Sequence, residues 1–359
     1  MRFFMPVMLY DEEECVKKHA AEIAAFGKKA LIVTGKNSAF RNGSFEDVSG
    51  VLKDAGIGYE VFSEVEENPS TDTVFKAKER FAEAGIDFII GIGGGSPMDA
   101  AKAIALVLKH PEADIGYLYD KTKDPSALPV ICIPTSCGTG SEVTGISVLT
   151  RHDKKTKISM VHHVFPAMSL VDGKYIRSAS KSLIVNSAVD ALAHMFESAL
   201  NAKTDDYVHM TVSAGLKQWI RIKDVLSGER EASEEDRRLL MRASTLAGMS
   251  IAGCGTALPH ALSYILTYDL GLPHGRAVGY FLPAFMAAAP QERSGELLKA
   301  AGFADTVALK AFLEKVLGRQ EVPENVLEKT FEAVKNNTAK MNGVVFPVDE
   351  SVLRGIVYG

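Results

Sequence analysis

In the C-terminal half, Asp190 and His194 stand four residues apart. On a helix that spacing puts a carboxylate and an imidazole on one face, with Cβ atoms about 5–6 Å apart. Two more histidines, His260 in Pro259-His260-Ala261-Leu262-Ser263 and His274 in Pro273-His274-Gly275, follow in apolar surroundings. A D-x-x-x-H pair or a lone apolar-face histidine is ordinary helix chemistry. Together, one carboxylate and three imidazoles make a nitrogen and oxygen donor set without thiolate. Such a set suits Fe(II), Zn(II), Co(II) or Mn(II) and lacks the oxygens that Mg(II) or Ca(II) require. The other six histidines, His19, His110, His152, His162, His163 and His209, fall in stretches read as surface or loop, outside the site.

A second kind of chemistry sits in the first half. Gly91-Ile92-Gly93-Gly94-Gly95-Ser96-Pro97-Met98-Asp99 follows an apolar run and opens a helical pattern, with Pro97 suited to a first helical turn. Glycines let the backbone approach a phosphate, and exposed N–H groups with the helix dipole stabilise its charge. Ser96 stands where GxGxxG would place its third glycine. The loop Pro134-Thr135-Ser136-Cys137-Gly138-Thr139-Gly140-Ser141-Glu142 follows the next apolar run and concentrates hydroxyls able to bond a nucleotide. Two such loops after successive strands of one sheet converge on one edge, as in a dinucleotide crevice.

Both sets need elements to hold them. Apolar runs at 29–34, 59–62, 87–91 and 129–133 read as strands, and 45–55, 71–84 and 97–108 carry helical periodicity. The alternation predicts a doubly wound, mostly parallel, Rossmann-like sheet. The run 3–10 also reads as a strand. From about residue 179 apolar residues recur at three and four, and β-rich runs nearly vanish. The boundary is placed after Val171-Asp172-Gly173-Lys174, giving 1–178 as a dinucleotide-binding α/β domain and 179–359 as a helical metal-binding and catalytic domain. In the mixed-charge stretch 228–238, Ser233 followed by Asp236 predicts a solvated helix start.

The chain has 359 residues, 45 acidic and 40 basic, for a net charge of -5. It carries no field that would gather nucleic acid or anionic lipid, so neither is an expected partner. Four cysteines without C-x-x-C spacing read as free thiols of a reducing compartment. No apolar stretch approaches the about 20 residues of a membrane span, and no cleavable leader is readable. The expectation is a cytoplasmic protein without a membrane partner.

The segment 93–99, the loop 134–142 and the set Asp190, His194, His260 and His274, in this order and across most of the chain, resemble the iron-containing (group III) alcohol dehydrogenases. The resemblance implies an α/β N-terminal domain and an all-α C-terminal domain, a dehydroquinate synthase-like architecture with the active-site cleft between them. It implies cofactor binding by Gly93, Gly94, Gly95 and Ser96, the last three at the pyrophosphate. Asp99 would lie near the cofactor, with Thr135 and Thr139 around ribose and nicotinamide and Ser136 in the same loop. Asp190, His194, His260 and His274 would hold Fe(II), with Zn(II) as the alternative. The reaction implied is NAD(P)-linked oxidation of small primary alcohols or diols, or reduction of their aldehydes, in a homo-oligomer such as a dimer. Metal coordination of the substrate oxygen would ease hydride transfer to or from nicotinamide C4. The alternative is a dehydroquinate synthase-like NAD-dependent lyase or cyclase. That substrate, phosphorylated and carboxylated, would want Lys and Arg around the histidines, and no such cluster is obvious.

Two positions depart from the family pattern. Some members carry a histidine four residues after the third ligand, assisting proton transfer, where this chain has Tyr264, expected to line the pocket, with a proton relay as the alternative. Cys137 stands where a small residue beside the nucleotide is common. At the end of the first strand, where the resemblance places the adenosine ribose, Gly35-Lys36-Asn37-Ser38 holds no carboxylate for a 2'-hydroxyl. A 2'-phosphate would meet a cation and a hydroxyl there, so NADP(H) is expected over NAD(H).

Overall fold

Short runs rich in Val, Ile and Leu become β1 (Met8–Asp11), β2 (Lys29–Gly35), β3 (Gly58–Val65), β4 (Phe88–Gly93) and β5 (Val130–Pro134). The computed structural model describes residues 4–359, so Phe3 of the first expected run lies outside the described residues. A hairpin, β6 (Val148–Arg151) with β7 (Thr156–Ser159), precedes β8 (Met168–Val171). The six other strands form one sheet in the order β1-β8-β5-β4-β2-β3, with every neighbouring pair parallel.

Side chains alternate across this sheet as the period of two demands. Leu31, Val33 and Ile89 enter a core with Val74, Met98 and Ile104, while Ala30, Ile32 and Ile90 enter another with Val48 and Leu52. Helices α1 (Ser44–Asp54), α2 (Thr71–Phe81) and α3 (Gly95–Lys109) supply those partners. Every residue of β4 and β5 is buried. That double burial explains why their sequences are continuously apolar. The chain passes from β2 outward to β3, then returns to β4 on the other side of β2. The carboxyl ends of β2 and β4 therefore flank a topological switch point, where open α/β sheets bind ligands.

The hairpin is absent from the sequence expectation. Its four-residue strands are too short to display alternation, and its turn uses Lys155 at φ 50 in place of an Asn-Gly signal. His110 and His162 sit in loops but are buried, contrary to a surface reading. Backbone carbonyls of Ser126 and Tyr117 accept from their Nε2 atoms, each at 2.9 Å, and the rings pack against Tyr117.

Met5–Ser136 and Gly140–Ser178 form one compact unit, while Cys137–Thr139 groups with Ala179–Gly359 in the other. In the second unit, α4 (Lys181–Ala199) starts where the Ser180 side chain accepts from Leu183 N. Every residue from 188 to 199 is buried, so that part of α4 is enclosed on all sides. It is followed by α5 (Asp206–Trp219), α6 (Glu234–Cys254), α7 (Leu258–Leu270) and α8 (His274–Ala288). Trp219 Nε1 donates to Ala188 O, docking α5 on α4. Ser233 and Asp236 form a reciprocal capping box at the start of α6. Pro283 lies inside α8 without ending it. Among the described residues no named strand follows residue 179, and no helix is long and apolar enough to cross a membrane.

Candidate functional site

Three helices deliver the imidazole cluster. Asp190 and His194 lie one turn apart on α4, His260 in the first turn of α7, and His274 opens α8. The Nε2 atoms of His260, His274 and His194 stand 3.2, 3.6 and 3.9 Å from one oxygen, Asp190 Oδ1. Asp190, His260 and His274 offer ligand atoms within 4.8 Å of one another. Two ligands each about 2.1 Å from a tetrahedral ion stand about 3.4 Å apart, so this set has the dimensions of a divalent site. Asp190, His194 and His260 are buried, while the His274 side chain is 26% exposed and marks the open side.

Hydrogen bonds behind the rings decide where the lone pairs point. His194 Nδ1 is 3.2 Å from Gly138 O, and His260 Nδ1 is 2.5 Å from Glu197 Oε1. Both acceptors require Nδ1–H, which leaves Nε2 bare toward Asp190. Neutral imidazoles turned this way would repel the carboxylate with their lone pairs, and a cation, whether metal ion or proton, removes that repulsion. Burial alone would raise the Asp190 carboxyl, yet the three imidazoles hold it well below the usual carboxylate range. Burial pulls His194 down. Burial alone would lower His260 too, but Glu197 and Asp190 push it up to about 9, so without a metal a proton takes the cation's place. The donor atoms of Asp190, His260 and His274 thus fit a divalent ion, and His194 Nε2, 3.9 Å from Asp190 Oδ1, lies outside that closest group.

Glu197 escaped the sequence reading. The signal was present, since it lies three residues after His194 on the same helix face and is wholly buried. Gly138 O could not have been found, because a backbone acceptor leaves no trace in residue type. Tyr264, one turn after His260, is half-buried with its ring centroid 6.4 Å from that of His274.

The residues expected to meet a nucleotide, Thr139 apart, lie in the α/β unit. Gly35 ends β2, and Lys36, Asn37 and Ser38 are exposed beyond it. Gly93 ends β4 with φ 154, where a Cβ would lie 2.5 Å from Pro97 Cγ, so only glycine lets the strand turn into α3. Gly94 caps α3, and a Cβ there would meet Ser136 Oγ at 3.0 Å. Gly95 and Ser96 begin the helix, and Ser96 Oγ accepts from Asn68 N. Thr135 N donates to Gly93 O, tying the second loop to the first. Thr139 belongs with the short segment that packs in the helical unit.

Asp99, expected near the cofactor, bonds within its own unit. Its Oδ1 accepts from Ser141 Oγ at 2.6 Å and its Oδ2 from Val148 N at 2.9 Å, so its acceptors serve the loop. Lys102, one turn on and fully buried, donates to Ser141 O, Ser141 Oγ and Ile146 O. Burial pulls the Lys102 ammonium down and pushes the Asp99 carboxyl up, and each charge opposes the other's shift. The pair pins 141–148 onto α3.

Sequence comparison bears on both halves. Residues 6–173 match the profile of the iron-containing alcohol dehydrogenases, and 184–337 that of the C-terminal part of the same family. An NADPH-dependent butanol dehydrogenase of Clostridium saccharobutylicum is 31% identical over 265 residues, 72% of this chain and 66% of that protein. An NADH-dependent butanol dehydrogenase A of Clostridium acetobutylicum is 29% identical over 273 residues, 74% of this chain and 69% of that protein. The chain thus aligns with about two thirds of the length of each of these two relatives. The crystal structure of an iron-containing alcohol dehydrogenase from Thermotoga maritima superposes with a TM-score of 0.91 at 36% identity, covering 99% of this chain and 98% of that one. Matched along nearly its whole length in both sequence and fold, the chain belongs to the iron-containing alcohol dehydrogenase family.

Proposed function

We propose that the protein is a metal-dependent, nicotinamide-linked alcohol dehydrogenase and aldehyde reductase acting on small primary alcohols, diols or their aldehydes. The observation that carries this is the convergence of three Nε2 atoms on Asp190 Oδ1 within 3.9 Å. A divalent ion held there, Fe(II) in our reading, supplies a Lewis acid for the substrate oxygen. The residues do the rest. Asp190 lends the site its anionic charge, and Gly138 O and Glu197 keep His194 and His260 in the Nδ1–H tautomer. The open side at His274 admits substrate, and Tyr264 lines it. With a nicotinamide bound, the site would serve hydride transfer between the alcohol carbon and nicotinamide C4, the hydroxyl proton leaving to solvent, which would give carbonyl and reduced cofactor.

For the cofactor, the turn 93–96 would take the pyrophosphate at the start of α3, with Thr135 in the neighbouring loop, and residues 35–38 would meet the adenosine ribose. Two relatives of nearly equal identity carry opposite cofactor names, so the chain's own residues must decide. Lys36 and Ser38, exposed at the switch point with no acidic residue among 35–38, favour NADP(H). The test is anaerobic reconstitution with Fe(II) or Zn(II), followed by NADPH and NADH oxidation against short aldehydes and, separately, the cyclase substrate. Metal-dependent net oxidation of NADPH with an aldehyde is expected. Redox-neutral turnover of the cyclase substrate refutes the dehydrogenase reading, and equal kcat/KM with both cofactors refutes the NADP(H) preference.

A further inference from the structure

Glu197 is fully buried on α4, seven residues after Asp190 and three after His194. Burying a carboxylate costs desolvation, which is offset only where its charge and both oxygens are used. Both oxygens are used, on neighbouring parts of one element. Oε2 accepts from Ala257 N at 2.6 Å, at the residue that caps α7. Oε1 accepts from His260 Nδ1 at 2.5 Å, one turn into the same helix. One carboxylate thereby fixes where α7 begins and how the His260 ring is rotated. Thr256 O, next to that cap, accepts from Lys340 Nζ at 3.3 Å, and burial lowers this ammonium while the Glu197 charge raises it.

The two buried imidazoles of the cluster are not backed alike. Behind His194 is a neutral carbonyl, Gly138 O, and behind His260 a full negative charge. A charged acceptor holds Nδ1–H more strongly and makes Nε2 the better donor. Glutamine at 197 would keep the volume and remove that charge. Its amide would also turn an N–H toward either Ala257 N or His260 Nδ1, both donors.

We infer that Glu197 is the positioning residue for the metal centre, setting the tautomer, rotation and donor strength of His260 and through them the affinity for a divalent ion. This rests on the reading above that the cluster holds such an ion. The experiment compares wild type and Glu197→Gln, both stripped with a chelator, by competition of Zn(II) against a fluorescent indicator, with NADPH binding as a check on the α/β unit. The expected result is Zn(II) affinity weakened about 10–100-fold in Glu197→Gln with NADPH binding unchanged. Equal Zn(II) affinity in the two proteins overturns the inference. Should wild type bind Zn(II) tightly yet reduce no aldehyde, the proposed activity fails while the role of Glu197 stands.

A measurement on the wild type alone covers the case in which Glu197→Gln does not fold. With histidine labelled by nitrogen-15 and the protein loaded with Zn(II), His260 is expected to show one slowly exchanging, strongly deshielded proton on Nδ1. A proton on Nε2, or a rapidly exchanging Nδ1–H, overturns the inference.

Discussion

The glycine turn between β4 and α3 and the imidazole cluster of α4, α7 and α8 each prepare a place for charge. In the turn, the groups offered are backbone amides, and what the residue types supply is absence: no Cβ at Gly91, where one would lie 2.9 Å from Ala101 Cβ, and none at Gly93. In the cluster, every group offered is a side chain, and its direction is fixed by a further acceptor behind it, Gly138 O or Glu197. A backbone site is stabilised by the fold that makes the turn. A side-chain site is repulsive until a cation enters. The two regions should therefore respond differently to substitution, the first through stability and nucleotide affinity, the second through metal and turnover.

Asp190→Asn is the sharpest break. Removing the common anion of the cluster should lower kcat/KM by about a thousandfold or more, since a Lewis acid is worth several kcal/mol. NADPH binding, read by fluorescence, should be retained, and its loss would erase the distinction between the two regions. Next comes Lys102→Met, which leaves the Asp99 carboxylate without its cation and should cost about 3–5 kcal/mol in chemical denaturation. A loss below about 1 kcal/mol would mean that the pair does not pin 141–148. Gly93→Ala must move Pro97 or the turn, with an expected loss of about 1–3 kcal/mol and a raised KM for NADPH. An unchanged KM would show that the turn does not meet the cofactor.

The smallest effect lies away from both regions, at the capping box of α6. Arg230 beside Asp236 holds that carboxyl well below the usual carboxylate range, against the opposing pull of burial. A folded pKa below the unfolded value of about 3.9 means that the contribution is present above that pH and lost as pH falls below it. Because Arg230 is 42% exposed, its bridge is screened, and Asp236→Asn should cost only about 1 kcal/mol at neutral pH. Unfolding curves of the two proteins should converge in acid, and a gap that persists there would assign the effect to packing.

Much of the α/β unit was legible because its signals are local. Strands such as Phe88–Gly93 are apolar throughout because both faces are covered, and Gly93 and Pro97 announce the turn within five residues. The hairpin at Val148–Arg151 was not legible, since four residues held by partners such as Pro69 O carry no period. The contacts of Asp99 with Ser141 and Val148 were not legible, because a carboxylate near a glycine turn looks the same in one dimension whatever it meets. Of the cluster, only the Asp190 and His194 spacing is a local signal. His260 and His274 came into the set through residue type and resemblance.

Residue order by itself determined the alternation of strand and helix, the glycine-dependent turn and the change to a helical half, because each depends on neighbours within a few positions. Only tertiary structure decided that three imidazoles would turn their Nε2 atoms to one oxygen, that Glu197 and Gly138 O would stand behind two of them, and that Asp99 would be spent on a loop. Those outcomes depend on the packing of helices distant in the chain, and hydrogen-bond direction, unlike periodicity, has no counterpart in the spacing of residues.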